Sequence, residues 1–263
     1  MSTASPILGV IGGMGPHAGL DLVRNILNQT RARADQAHLP VALLSLPDRI
    51  VDRSRFLFNE TRENPARAIA AIARQLDALG ATVAGLPCNT AHAPAIFDAV
   101  AADLARTGHA IRLIHMIEAT VEHVRATQAN VQRVGVLSTT ATLELGLYER
   151  PLTEAGFTFV APDGSTQERV NATIYDPSFG LKGQSDPPTD QAQRHLLDAM
   201  RHLTARGAEA LILGCTELPL APLQALVADV PLIDPARVLA RALIHATYPD
   251  KLLPDGAAVP TAM

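Results

Sequence analysis

Cys88 and Cys215 are the only cysteines among the 263 residues, and each lies in a short polar block. The blocks are Pro87-Cys88-Asn89-Thr90-Ala91-His92 and Gly214-Cys215-Thr216-Glu217-Leu218-Pro219. Each follows an apolar, strand-like run and opens a segment that reads as helix. Unpaired backbone N–H groups at such a turn, with the helix dipole behind them, favour a thiolate. A free thiol has a pKa of about 8.5, so a modest downward shift makes it a usable base near neutral pH. One such thiol in each half of the chain suggests an acid/base pair facing one substrate. A lone buried cysteine is more often a small hydrophobe. Repetition at equivalent strand ends argues for function instead.

Other candidate chemistry is weaker. Gly13-Met14-Gly15-Pro16-His17-Ala18 fits a dinucleotide fingerprint after a strand, but Pro16 sits in the turn that would wrap the pyrophosphate. The acidic residue beyond the next strand, Asp48, also lies further on than the usual spacing of about 20 residues. Cys88 and His92 stand i, i+4 and could share a metal, yet no second ligand cluster appears and structural zinc usually takes four ligands. No metal site is expected. His92 reads as a hydrogen-bonding residue near the site, and Asp48 as a residue that orients Arg49 or caps a turn.

The elements that must carry these residues occur twice. Ile7-Leu8-Gly9-Val10-Ile11 running into Gly12-Gly13-Met14-Gly15 is echoed by Val134-Gly135-Val136-Leu137 running into Ser138-Thr139-Thr140. Thr82-Val83-Ala84-Gly85-Leu86 before Cys88 is echoed by Ala210-Leu211-Ile212-Leu213 before Cys215. Ile111-Arg112-Leu113-Ile114 and Val230-Pro231-Leu232-Ile233 form a third pair in the same order. Helical patterns over 18–33, 65–79, 93–106, 119–127 and 192–205 lie between the strands. Alternating strands and helices imply parallel sheets covered on both faces, with ligands at the carboxyl ends of the strands. The expected fold is α/β: two pseudo-symmetric lobes, each a parallel flavodoxin-like sheet flanked by helices, with the site in the cleft between them. Residues 1–116 plus 222–263 are assigned to an N-terminal lobe carrying Cys88, and 117–221 to a second lobe carrying Cys215. Residues 175–189, rich in Pro, Gly and Ser and without a core pattern, read as a lid or substrate-contacting loop.

Composition narrows the function classes. Hydrophobic residues at 48% and charged residues at 18% describe a globular chain. A net charge of −4 without a basic cluster argues against nucleic acid, and 3% aromatics with no Trp argues against stacking platforms. No apolar run is long enough to cross a bilayer, so no membrane partner is expected. Two cysteines do not make a disulfide framework, and the first six residues lack the basic stretch of a secretory signal. Both point to a cytoplasmic protein.

Taken jointly, five motifs resemble the cofactor-independent aspartate/glutamate racemase family, its aspartate racemase branch above all. They are Gly-Gly-Met-Gly-Pro at 12–16, Asp35-Gln36-Ala37-His38, Pro47-Asp48-Arg49 and the two cysteine blocks. The resemblance runs from Gly9 to about Ala246. It implies an amino-acid substrate, aspartate or glutamate, no cofactor, a homodimer, and proton transfer on opposite faces of Cα by Cys88 and Cys215. Inversion removes a proton from one face and delivers one to the other, so one group must be a thiolate while the other is a thiol. It further implies that Asn89, Thr90 and Thr216 bind the α-carboxylate and amino group, with Thr139, Thr142 and Met14 completing the cradle. Arg49 resembles the family's arginine for a side-chain carboxylate, which arginine can hold bidentately. At the position of a family lysine this chain has Glu168, and Lys182 is the candidate replacement. Isomerisation or decarboxylation of a small dicarboxylate stays open. So does a non-catalytic, amino-acid-binding or redox-sensing role.

Overall fold

Apolar runs that end at glycine become parallel strands here, and the amphipathic stretches between them become the covering helices. The computed structural model describes residues 5–221 and 230–255. In chain order, its first half holds β1 (Ile7–Gly12), α1 (Pro16–Asn28), β2 (Val41–Ser45), α2 (Arg53–Leu57), α3 (Ala66–Ala78), β3 (Ala81–Gly85), α4 (Pro94–Arg106) and β4 (Arg112–Ile114). Then follow α5 (Met116–Thr127), β5 (Arg133–Ser138), α6 (Thr140–Glu144), α7 (Glu149–Glu154), β6 (Thr158–Val160) and α8 (Gly164–Tyr175). The chain continues through α9 (Asp190–Ala205), β7 (Ala210–Gly214), β8 (Leu232–Ile233) and α10 (Pro235–Thr247).

The strands form two four-stranded sheets, ordered β2-β1-β3-β4 and β6-β5-β7-β8, with every named pairing parallel. The orders are the same, so β1 corresponds to β5 and β3 to β7, as the internal echoes in the sequence imply. Cys88 follows β3 and Cys215 follows β7, on matching inner strands. This is the α/β architecture expected.

By contacts the described residues divide into two compact units. One takes the chain up to Pro87, Pro94–Met116 and the chain from Ala236, and the other takes Cys88–Ala93 and Ile117–Pro235. The block that opens with Cys88, drawn inside the first lobe from sequence, therefore packs with the second unit. Residues 222–229 and 256–263, assigned from sequence to the first lobe, lie outside the described residues.

In the first unit, α1 directs Ala18, Leu22 and Ile26 at β1, the i, i+4, i+8 stripe of an amphipathic helix. Leu8, Val10, Val83, Leu239 and Leu243 join that core. Gly13 has φ +98, and a Cβ there would lie 3.0 Å from the Pro47 nitrogen, so the turn after β1 needs glycine. In the second unit all five residues of β7 are buried. Leu137, Val170, Ile174, Leu196, Met200 and Leu203 pack around it. Each such side chain contributes about 2 kcal/mol of burial, which makes this strand a firm base for the cysteine at its end.

The 175–189 segment departs from expectation. Leu181 is fully buried in the second core, and the loop is fastened to α8 by Leu181 N–H to the Thr173 carbonyl (2.9 Å) and Lys182 N–H to the Ile174 carbonyl (3.1 Å). Gly180 permits this: a Cβ there would lie 2.4 Å from the Asp176 carbonyl oxygen. A single apolar plug has no periodicity, so the sequence pattern concealed it.

Candidate active site

After β3 the chain turns through a 3-10 segment, Asn89–His92, that is buried throughout. His92 Nδ1 donates to the Cys88 carbonyl at 2.9 Å, which ties the turn to itself. Thr90 Oγ1 lies 3.1 Å from Thr142 Oγ1 and 3.4 Å from Thr139 Oγ1. Thr139 caps α6, accepting from Thr142 N–H at 3.2 Å, and its hydroxyl donates to Thr142 Oγ1 at 3.0 Å. The structure thus brings Thr90, Thr139 and Thr142 into one buried hydroxyl cluster.

Asn89 is held by a residue without a sequence signal. The Tyr148 hydroxyl donates to Asn89 Oδ1 at 2.6 Å, deep in the second unit. Asn89 Nδ2 is buried and has no hydrogen-bond partner among the described residues. Burial pushes the Tyr148 phenol well above its ordinary pKa, and the negative charge of Asp234 acts in the same direction. Tyr148 therefore bonds the neighbour of Cys88.

Cys215, also buried, donates from Sγ to Glu217 Oε2 at 2.9 Å. Glu217 is itself only 3% exposed, and its other oxygen accepts from Lys182 Nζ at 3.0 Å. The ammonium also lies 5.5 Å from the centre of the Tyr175 ring. The sequence predicts a thiolate favoured by the turn; the structure corrects this at Cys215. Burial raises the thiol pKa well above its ordinary value, and the Glu217 charge adds to the rise, while Lys182 opposes it. Cys215 is thus a thiol hydrogen-bonded to a buried carboxylate, in surroundings that oppose its ionisation.

Of the remaining candidates, Thr216 is buried beside Cys215. In the first unit Met14 is buried and its carbonyl accepts from Arg53 Nη2 at 3.1 Å. Arg49 lies exposed in the 3-10 turn Pro47–Arg49, whereas Arg53, which the sequence did not single out, is buried. Glu168 is exposed on α8. Its neighbour Gln167 is the buried residue there, donating to the Ser138 carbonyl at 3.0 Å. Glu217, Tyr148, Arg53 and Gln167 are the residues the sequence reading missed. Only Glu217, inside a cysteine block, carried a usable signal.

Residues 11–243 match the family model described as Asp/Glu/Hydantoin racemase. The chain belongs to this family. A glutamate racemase of Pseudomonas entomophila (strain L48) is 32% identical to it, over 100% of this chain and 89% of that protein. The broad specificity amino-acid racemase RacX of Bacillus subtilis (strain 168) is 23% identical over 92% of this chain and 98% of its own. Among solved structures, the Picrophilus torridus aspartate racemase superposes with a TM-score of 0.78 at 28% identity, covering 95% of this chain and 96% of that one. With glutamate and aspartate racemases among its relatives in this family, the chain is an isomerase acting on amino acids, a racemase. Among the described residues no helix is long and apolar enough to cross a membrane.

Proposed function

We propose that this racemase inverts an acidic amino acid, aspartate or glutamate, by two-base proton transfer between Cys88 and Cys215. The observation that carries the reading is the placing of the two thiols after matching strands, β3 and β7, of sheets with the same order. In the direction where Cys215 acts as acid, its Sγ–H protonates the carbanion at Cα and the thiol of Cys88 forms as its thiolate takes the α-proton. In the other direction Cys215 must first lose its proton. Glu217 Oε2, already at hydrogen-bond distance, is the acceptor, and Lys182 stabilises Glu217 until then. The hydroxyls of Thr90, Thr139, Thr142 and Thr216, the Asn89 amide and the Met14 backbone are assigned to the substrate's α-carboxylate and amino group. Arg49 is assigned to its side-chain carboxylate. The developing negative charge is then met by fixed donors in a dry environment, where they act most strongly.

A second reading concerns substrate range. Lys182, the loop cation considered for the side-chain carboxylate, is engaged by Glu217 at 3.0 Å. Together with exposed Glu168, this favours a tolerant racemase that also accepts neutral amino acids, in line with the broad specificity by which the Bacillus relative is named. A homodimer in the cytoplasm completes the proposal, supported by the family resemblance and by two unpaired thiols that a reducing compartment preserves.

Chiral chromatography of L-aspartate, L-glutamate and a neutral panel, incubated with reduced enzyme in deuterated water, tests both readings. The D-enantiomer with deuterium at Cα is expected, lost in Cys88→Ser and in Cys215→Ser. Inversion of acidic substrates alone selects the first reading and inversion of neutral ones the second. Absence of exchange across the panel overturns the racemase proposal.

A further inference from the structure

The Tyr148–Asn89 bond has a consequence for ligand recognition. An asparagine amide has one oxygen that accepts and one NH2 group that donates, and only its bonds decide which way it points. At Asn89 the choice is made by Tyr148. A phenol kept protonated by burial can donate, and it donates to Oδ1 at 2.6 Å. Thr120 hydrogen-bonds the same phenol from α5. With Oδ1 taken by the phenol, the NH2 group of the amide points away from it. Nδ2 is consequently left on the other side, buried and without a partner among the described residues. An unused buried donor is costly, and one retained in a folded protein calls for an explanation, of which a functional acceptor is one.

We infer that Tyr148 is a positioning residue: through its hydrogen bond to Oδ1 it holds the Asn89 amide with Nδ2 ready to donate to a carboxylate oxygen of the substrate. This rests on the racemase reading for the ligand's identity, but not for the bond itself. Tyr148 touches no reacting atom in this scheme. Its hydroxyl acts only through Asn89, so removing it matters only while Asn89 is there.

The test is a double-mutant cycle of wild type, Tyr148→Phe, Asn89→Ala and the double variant. Phenylalanine keeps the ring that fills the core and deletes only the hydroxyl. Tyr148→Phe is expected to lower kcat/KM about tenfold, the scale of one lost orienting hydrogen bond. Asn89→Ala is expected to lower it at least as much, and the double variant no further than Asn89→Ala alone. A merely structural tyrosine would instead lower activity by the same factor in both backgrounds, and that result overturns the inference, as does unchanged kcat/KM in Tyr148→Phe. Unfolding free energies of the same proteins read the bond without turnover. If the wild type racemises nothing on the panel, the racemase reading fails separately. The Tyr148–Asn89 bond is then read from the unfolding energies alone: non-additive values uphold it, and additive ones overturn it and the inference with it.

Discussion

Glu217 sets a negative charge 2.9 Å from a buried thiol, an arrangement that opposes ionisation until the carboxylate itself takes the proton. Replacing it by glutamine separates these two effects. Glu217→Gln removes a charge that raises the Cys215 pKa and leaves Lys182, which lowers it. The pH midpoint for alkylation of Cys215 by iodoacetamide should therefore move down, while racemisation falls about a hundredfold with the acceptor gone. A loss of activity with no change in the alkylation profile would remove Glu217 from the proton path. The same thiol gives stability a pH dependence. Its folded pKa lies above its unfolded value, so its contribution is complete below the unfolded pKa and lost as pH rises through the folded one. Thermal unfolding from pH 8 upward should show the wild type losing stability faster than Cys215→Ser. At this scale the cysteines were legible because their blocks repeat after similar strands. The partners of Glu217 and Asn89 were not, since Lys182 and Tyr148 stand 35 and 59 residues away in sequence. Only folding creates those distances, and a charged residue in a glycine loop or a tyrosine before a short helix announces neither.

At the scale of elements, the ion pair to Glu217 depends on how the 175–189 loop is anchored. Leu181 plugs the second core immediately before Lys182, and the two backbone bonds to α8 fix the direction in which the lysine leaves. Leu181→Ala should cost about 3 kcal/mol of unfolding free energy, the usual loss for a fully buried leucine. It should also depress activity beyond what the Lys182→Met variant does, because the whole loop loses its seat. Urea denaturation and kcat/KM on the two variants make the comparison. The strands and long helices were readable from apolar runs and helical spacing, with α3 and α4 falling within a residue of the expected bounds. The loop was not, because one leucine among prolines and glycines carries no period. The short helices α6 and α7 were equally silent, being defined by a threonine cap and by burial rather than by a stripe.

At the scale of the molecule, the two sheets share an order, but the units do not share the chain in two clean halves. The chain joins the second unit for Cys88–Ala93, returns to the first, and crosses again at Ile117 and at Pro235. Hydrogen exchange should report this division. The amides of Ala91 and Ala93, bonded to the Cys88 and Thr90 carbonyls, are expected to open with β5 and β7 rather than with β1 and β3. Exchange of Ala91 and Ala93 in step with β1 would contradict it. The duplication was visible in the sequence, because each apolar strand ends in its own signature. The crossing was not, since six residues between a strand and a helix read as part of that strand's lobe. For anyone recombining family members, the consequence is a rule about breakpoints. A hybrid gene joined between residues 116 and 117 inherits Thr139 and Thr142 from one parent and Thr90 from the other, and so splits the hydroxyl cluster between two ancestries. Keeping that cluster intact takes two further joints, one on each side of residues 88–93.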